Sequence, residues 1–349
     1  MSYIDQTLIN DYQHKVVENE LRVPRYGLID LIKAQTPLVP FNNPELQAAV
    51  LNYASGNSLK VPAMEEDTIV TSTSESFVIP ANLSESAMTS LSLTTIFAGF
   101  ATYPETFANN VISEEAYVLN KINEVDKAMA KKLEEYIATH LNTYKTAVWT
   151  GDDAITGHTF QEATDALEIT LAAQSDVMFA DIVAQAARND WSEDQLMMAM
   201  NPSGQHVLNQ YMKYGSTNEK NLQWQGMPDI YKSNRVTVDA GKRWTGYLLE
   251  PGAIGLLVNL KPAFRQRVTV GEAKWDVSDS ALPQLGHQVM LYENKEKVNA
   301  TGVGSYADHA IMSWKKEYGF IFRFALLKRY NSDTDSRAGY ILKINGETA

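Results

Sequence analysis

The chain contains no cysteine. Disulfides, thiolate metal sites and cysteine nucleophiles are thereby excluded. Basic residues are also in short supply, with 30 lysines and arginines against 42 acidic residues and a formal net charge of −12. That balance argues against a protein that grips phosphate backbones, which calls for a basic face. It leaves room for a container of nucleic acid, because enclosure needs no tight contact, and an acidic surface keeps a concentrated protein soluble. No apolar run approaches the ~20 residues of a membrane span. Residues Met1 to Asp5 open no secretion signal, so synthesis and folding in a cytoplasm are expected. Asn82-Leu83-Ser84 and Asn299-Ala300-Thr301 match the glycosylation pattern and, without a signal, read as chance.

Chemical motifs are equally thin. None of the six histidines (His14, His140, His158, His206, His287 and His309) has another three to five residues away, so helical and finger-type metal pairs are absent. Asp333-Thr334-Asp335 lacks the glycine and distal glutamate of a calcium loop. Gly302-Val303-Gly304 imitates a dinucleotide fingerprint but lies near the C-terminal end of a chain without βαβ alternation. Ser313-Trp314-Lys315-Lys316 matches the serine–lysine tetrad of penicillin-recognising enzymes without its companion motifs. No catalytic set, metal site or cofactor site is expected.

One long stretch also lacks glycine and proline altogether, from Glu105 to Thr150. Within it Val118, Ile122, Val125, Met129, Leu133, Tyr136, Ile137, Leu141, Tyr144 and Val148 recur at three- and four-residue steps, the signature of one apolar helical face. Ser113 can cap the start, and Glu114 and Glu115 complement the helix dipole. A helix over 113–147 would be roughly 50 Å long. On periodicity alone it could equally belong to a helical bundle.

The other elements fall around that helix. Hydrophobic residues make up 44% and charged residues 21% of 349, a folded chain with room for two or three domains. Residues 1–60 read as an arm: a helical pattern from Ile4 to Leu21, then Pro24, Pro37, Pro40 and Pro44, and a short helix from Glu45 to Tyr53. The arm must pack on its own body or on a neighbouring chain. Thr68 to Ile79 and Met88 to Thr102 read as two long strands of a polar hairpin, with Leu91, Leu93 and Phe97 on one face. After the long helix, Thr159 and Glu162 suggest a capping box for a helix to Ala173, and Asp176 can cap another over 177–187. Leu196 to Met200 reads as a strand stopped by Asn201-Pro202, and Gln205 to Tyr214 as a helix. Strands are then expected at Ile230 to Val238, Trp244 to Leu249, Ala253 to Leu260, Phe264 to Val270, Val289 to Glu293, Ala310 to Trp314 and Tyr318 to Tyr330. Tyr340 to Ile344 is expected to return antiparallel to the last of these and, with it, to back the long helix.

This order of arm, extended hairpin, long helix and mixed α+β body resembles the major capsid proteins of tailed double-stranded DNA bacteriophages, the Hong Kong 97 fold. Ser76-Phe77-Val78-Ile79-Pro80, Phe100 with Pro104, Asn109-Asn110, Asn201-Pro202 and Gly252-Ala253-Ile254-Gly255 carry the resemblance, which spans essentially the whole chain. It implies an N-terminal arm at 1–60 and an extended loop at 61–107. It further implies a peripheral domain at 108–195 with 321–349 and an axial domain at 196–320. The implied protein is not an enzyme but a coat subunit, located in the virion and assembled in the bacterial host. Its partners would be copies of itself in pentamers and hexamers, a portal protein, a separate scaffolding protein, packaged double-stranded DNA and decoration proteins, with no membrane. Phe77, Ile79, Leu91 and Phe97 are the expected inter-subunit contacts. Some members of the family cross-link the hairpin through lysine, but residues 68–102 contain none. The competing readings are an encapsulin-type shell around enzyme cargo and, from another class, a cytosolic α+β enzyme.

Overall fold

The order of elements along the chain is that of an α+β protein. The computed structural model describes residues 6–17, 25–38, 58–64, 86–107, 113–149, 155–174, 177–189, 191–192, 195–215, 228–258, 269–270, 273–274, 276–300, 311–329 and 339–348. Among them the helices are α1 (Gln6–Val17), α2 (Gly27–Gln35), α3 (Glu114–Thr143), α4 (Met178–Arg188) and α5 (Pro202–Gly215). The strands up to the middle of the chain are β1 (Ser58–Met64), β2 (Ser86–Ser92), β3 (Thr94–Thr102), β4 (His158–Gln161), β5 (Ala166–Ile169), β6 (Met197–Met200) and β7 (Asp229–Lys232). The remainder are β8 (Lys242–Leu249), β9 (Ile254–Val258), β10 (Thr269–Val270), β11 (Ala273–Lys274), β12 (Asp276–Leu282), β13 (His287–Ala300), β14 (Ile311–Lys328) and β15 (Ile341–Glu347). The chain divides into two compact units, the first built from Met1–Ile29, Leu93–Glu134 and Val258–Ala325, the second from the remainder. The division falls inside α2, α3, β9 and β14.

The expected long helix forms for the expected reasons. Ser113 Oγ accepts the Ala116 amide at 3.2 Å, and Glu114 and Glu115 occupy the first turn. Val118, Ile122, Val125, Met129, Leu133, Ile137 and Leu141 are all buried. At 30 residues α3 is about 45 Å long. It stops at Thr143 and not at Ala147, because the Ala147 amide is taken by the Ile341 carbonyl at 3.1 Å. Gly339 is required where these segments pass: a Cβ there would lie 2.1 Å from the Ala147 nitrogen.

In the first unit, β12, β13, β14 and β3 follow one another in an antiparallel sheet, with Met290 opposite Ile321 and Phe97 on the far side of the same residue. The expected strands at 310–314 and 318–330 are one strand, β14. Its even positions Tyr318, Phe320, Phe322 and Phe324 are buried, with Ile96 of β3 on the same face. α2 was not legible: its Leu28 and Ile29, like Leu31 and Ile32 further along, are completely or nearly completely buried. Its first amides begin on a carboxylate, Leu28 N–H donating to Glu134 Oε1 at 3.0 Å. Of the two supports expected for the arm, its own chain serves here, where Tyr26, Leu28, Ile29, Leu31 and Ile32 are buried.

In the second unit a six-stranded mixed sheet runs β4-β5-β15-β8-β6-β7, with β15 parallel to β5 and β6 parallel to β7. Its core gathers Trp244, Leu248, Leu342 and Ile344 with Phe179, Ile182 and Ala186 of α4 and Val207 of α5. Two expectations fail here. The segment 159–173 is a hairpin of β4 and β5 and not a helix, since Ala166–Ile169 is buried throughout and pairs with both β4 and β15. Thr159 is an exposed strand residue, and Asp165 turns the chain at φ 45°. Tertiary pairing overrides the capping signal. β15 likewise does not return along β14; it lies between β5 and β8. The Asn201-Pro202 stop holds and also starts α5: Asn201 Oδ1 accepts the Gly204 amide at 3.3 Å, and Pro202 takes the first helical position. The strand expected at 230–238 ends at Lys232, and the helix expected at 45–53 and the strand expected at 68–79 lie outside the described residues.

Candidate assembly surfaces and buried polar nodes

Of the four expected contact residues, Phe77 and Ile79 lie outside the described residues. Leu91 sits in β2, half-buried and in register with Leu59. Phe97 sits in β3 with 66% of its surface exposed, more than any other large apolar side chain among the described residues. The expected shared face of Leu91, Leu93 and Phe97 does not exist. The strand breaks at Leu93, which is buried, and the alternation restarts with Ile96 inward and Phe97 outward. The two halves also pair differently: β2 with β1 through seven register pairs from Ser58↔Ser92 to Met64↔Ser86, β3 with β14. Among the described residues β1 and β2 form a sheet of two strands.

Trp314 was missed as a surface residue although its signal was available. It has the parity of Tyr318, Phe320 and Phe322, so it prolongs the apolar face of β14 beyond the buried part, and it is 39% exposed. Leu171 and Val177 are further exposed apolar residues, in the second unit. They flank the start of α4, whose cap position Val177 makes no side-chain cap bond. The expected cap, Asp176, lies outside the described residues.

The polar groups of the interior are organised in two nodes. In the first unit Asp126 of α3 is fully buried. It accepts the Tyr12 hydroxyl at 2.8 Å and the Gln284 and Leu285 amides, each at 2.9 Å. Gln284 Nε2 donates to the Tyr12 oxygen at 3.0 Å and to Asn123 Oδ1 at 2.7 Å. Burial pushes the Asp126 carboxyl above its ordinary range, against the downward pull of those hydrogen bonds. Tyr12 is raised too, by burial first and then by the neighbouring Asp126.

In the second unit Asp239 accepts Lys343 Nζ at 2.7 and 2.8 Å and Asn345 Nδ2 at 2.9 Å. Thr245 links onward, its hydroxyl donating to Asn345 Oδ1 at 2.7 Å and its amide to Asn201 Oδ1 at 3.1 Å. Burial would raise Asp239, but the bonds from Lys343 and Asn345 and the charges of Lys343 and Lys145 outweigh it, so its carboxyl lies below the usual range. Next to the node Lys242 bridges Glu168 at 2.8 Å and Glu347 at 3.6 Å. The Trp244 indole donates to Gln174 at 3.2 Å and lies over Gly346, where a Cβ would come within 2.0 Å of its nitrogen.

Lys316 pairs with Glu114 at 2.7 Å, and positions 313 and 316 both fall on β14, where a three-residue step changes face. The Gly302 motif, Asp333 with Asp335, and His309 lie outside the described residues. His158 is buried against Gln185, its Nδ1 at 3.3 Å from Oε1, and burial lowers its basicity. His140 is held down to about 4, by burial first and then by Lys328. Among the described residues no group of three or more histidines and carboxylates is placed to hold a metal ion, and no helix is long and apolar enough to cross a membrane.

No family model matches the chain, and no curated protein is similar to it. Solved structures are. A chain from Mycobacterium phage Che8 is 12% identical over 88% of this chain and 89% of that one, with a TM-score of 0.44. The capsid structure of the Cyanophage P-SCSP1u gives 12% over 85% of each chain at a TM-score of 0.42. The asymmetric unit of bacteriophage PhiM1 mature capsid gives 12% over 84% and 83% at 0.45. At such identities and TM-scores these are likenesses only, and the functional reading rests on the chain's own elements.

Proposed function

We propose that the chain is the major capsid protein of a tailed double-stranded DNA phage, a coat subunit that self-assembles into an icosahedral head shell. The observation that carries the reading is the β1–β2 pair. A two-stranded hairpin is marginal in water without a third partner, and among the described residues this one pairs with no other strand. A neighbouring copy is the natural support, since many modest contacts repeated around a closed shell make a strong container. The succession of hairpin, β3 and the 30-residue α3 adds to this, as does the exposed Phe97.

In this reading residues 1–60 are the arm, 61–107 the extended loop, 108–195 with 321–349 the peripheral domain and 196–320 the axial domain. Phe77, Ile79, Leu91 and Phe97 touch neighbouring copies. Pentamers and hexamers close the shell, a portal occupies one vertex, a separate scaffolding protein guides assembly, and DNA is enclosed without sequence-specific contacts. Decoration proteins bind outside, and the mature location is the virion. The experiment is to purify particles from cells producing the chain with its neighbouring phage genes and to identify their contents. Shells enclosing DNA support the reading. Shells filled with protein cargo would favour the encapsulin-type alternative, and a chain that stays monomeric would overturn both.

A further inference from the structure

Asn345 and Gly346 form the one asparagine–glycine step in the 349 residues. The second unit needs both. Asn345 is completely buried, and its side-chain amide works at both ends: Nδ2 donates to Asp239 Oδ2 at 2.9 Å, and Oδ1 accepts the Thr245 hydroxyl at 2.7 Å. A carboxylate could not make the first of these bonds. Gly346 lies under the Trp244 indole, which leaves no room for a Cβ. In any open chain the pair is a chemical weak point, because glycine brings its backbone nitrogen to the preceding side-chain amide without hindrance. In the fold that approach is blocked. β15 runs between β5 and β8, with Asn345 paired to Glu168 and Thr245, and Gly346 to Ile169 and Trp244. The backbone is extended there, and the asparagine side chain stands off it, tied to Asp239 and Thr245.

We propose that the Asn345–Gly346 step is a latent deamidation site, inert while β15 is seated and reactive once the strand opens, and that the reaction bars the second unit from closing again in its native form. In the open chain the Gly346 nitrogen attacks the side-chain carbonyl carbon of Asn345. The bond to the side-chain nitrogen breaks, the proton of the Gly346 amide passes to that nitrogen, and ammonia leaves. Water then opens the five-membered imide at one carbonyl or the other, giving aspartate or isoaspartate. Aspartate would set a second carboxylate against Asp239 across the 2.9 Å contact, with Lys343 left to serve both. Isoaspartate adds a methylene to the backbone and throws the end of β15 out of register with β5 and β8. The inference concerns the single subunit and stands apart from the shell reading.

The test is to age the full-length chain in mildly alkaline buffer, folded and in guanidinium, and to follow residue 345 by peptide mass and by enzymatic methylation of isoaspartate. Conversion should be at least about tenfold faster in the denatured sample, since the folded chain reacts only through its opened fraction. Equal rates would overturn the proposal. The bar to closure is read by equilibrium unfolding at neutral pH. Asn345→Asp should lower the unfolding midpoint. Asp239→Asn in the same chain should restore part of the loss, because donor and acceptor then exchange places across the contact. A single variant as stable as wild type, or a double variant no more stable than the single one, would overturn it. If Asn345→Asp fails to fold, recovery of folding in the double variant decides in favour, and its absence decides against.

Discussion

The two units hold a carboxylate each in opposite ways: Asp126 is fully buried, and Asp239 keeps 29% of its side chain exposed. Asp126 is enclosed by a tyrosine, a glutamine and two backbone amides, with no cation bonded to it among the described residues, and burial pushes its carboxyl up. Asp239 is gripped by Lys343 and Asn345 and is held down. Folding therefore responds to pH with opposite signs at the two sites. The contribution of Asp239 is complete above the ordinary carboxylate value and is lost as pH falls through its depressed one. Asp126 is most favourable when protonated, and its ionisation costs stability as pH rises through its raised value. The first node is a set of hydrogen bonds from neutral donors; the second is an ion pair that fails when either partner is removed.

The sharpest break in the comparison comes from Lys343→Met, which leaves a part-exposed Asp239 without its cation and should cost the second unit about 2 kcal/mol, measured by denaturant unfolding. A cost below that of an ordinary surface substitution would show that Asp239 is solvated well enough to do without its partner. Gly346→Ala follows, at about 2 kcal/mol, because the added methyl must displace the Trp244 ring. Near-UV circular dichroism should report the ring's new environment. In the first unit Ser113→Ala should cost about 1 kcal/mol by removing the cap of α3, with fraying confined to the first turn in hydrogen exchange. Smallest in stability is Phe97→Ser, within about 0.5 kcal/mol because the ring is already exposed; its effect should fall on particle yield instead. His140 supplies a pH control for the second unit. Its stabilising contribution is present above 6.5 and lost as pH falls toward about 4. His140→Gln should therefore flatten the acid limb of unfolding without touching the Asp126 response.

The legible part of the fold was local. α3 announced itself through Ser113 and a stripe of seven buried apolar residues, and Asn201-Pro202 marked a real boundary. Elements set by distant partners were not legible. Ala166–Ile169 becomes a strand because β15, far along the chain, pairs with it. Residues 94–102 leave the hairpin because β14 takes them. α2 escaped although Leu28, Ile29, Leu31, Ile32 and Gln35 share one face, because a nine-residue helix between Pro24 and Pro37 was read as part of a proline-interrupted arm. Of the candidate contact residues, Phe97 is exposed for a reason absent from the sequence reading: its strand was read as one piece with Leu91, and the break at Leu93 is what turns it outward. Neither polar node was visible, since Tyr12, Asp126 and Gln284 are separated by more than a hundred residues.

The fold also changes how the assembly claim must be tested. Excising residues 70–98 would remove β2 and half of β3, and with it part of the β14 sheet. Residues 65–85 can instead be replaced by a short turn, because Met64 and Ser86 are already register partners. The most direct measurement is sedimentation velocity with negative-stain microscopy on this variant beside the full chain, both produced with the neighbouring phage genes. The full chain should form closed shells, and the variant should remain folded as a monomer or small oligomer. Shells of normal size and yield from the variant would contradict the claim that this segment joins the subunits.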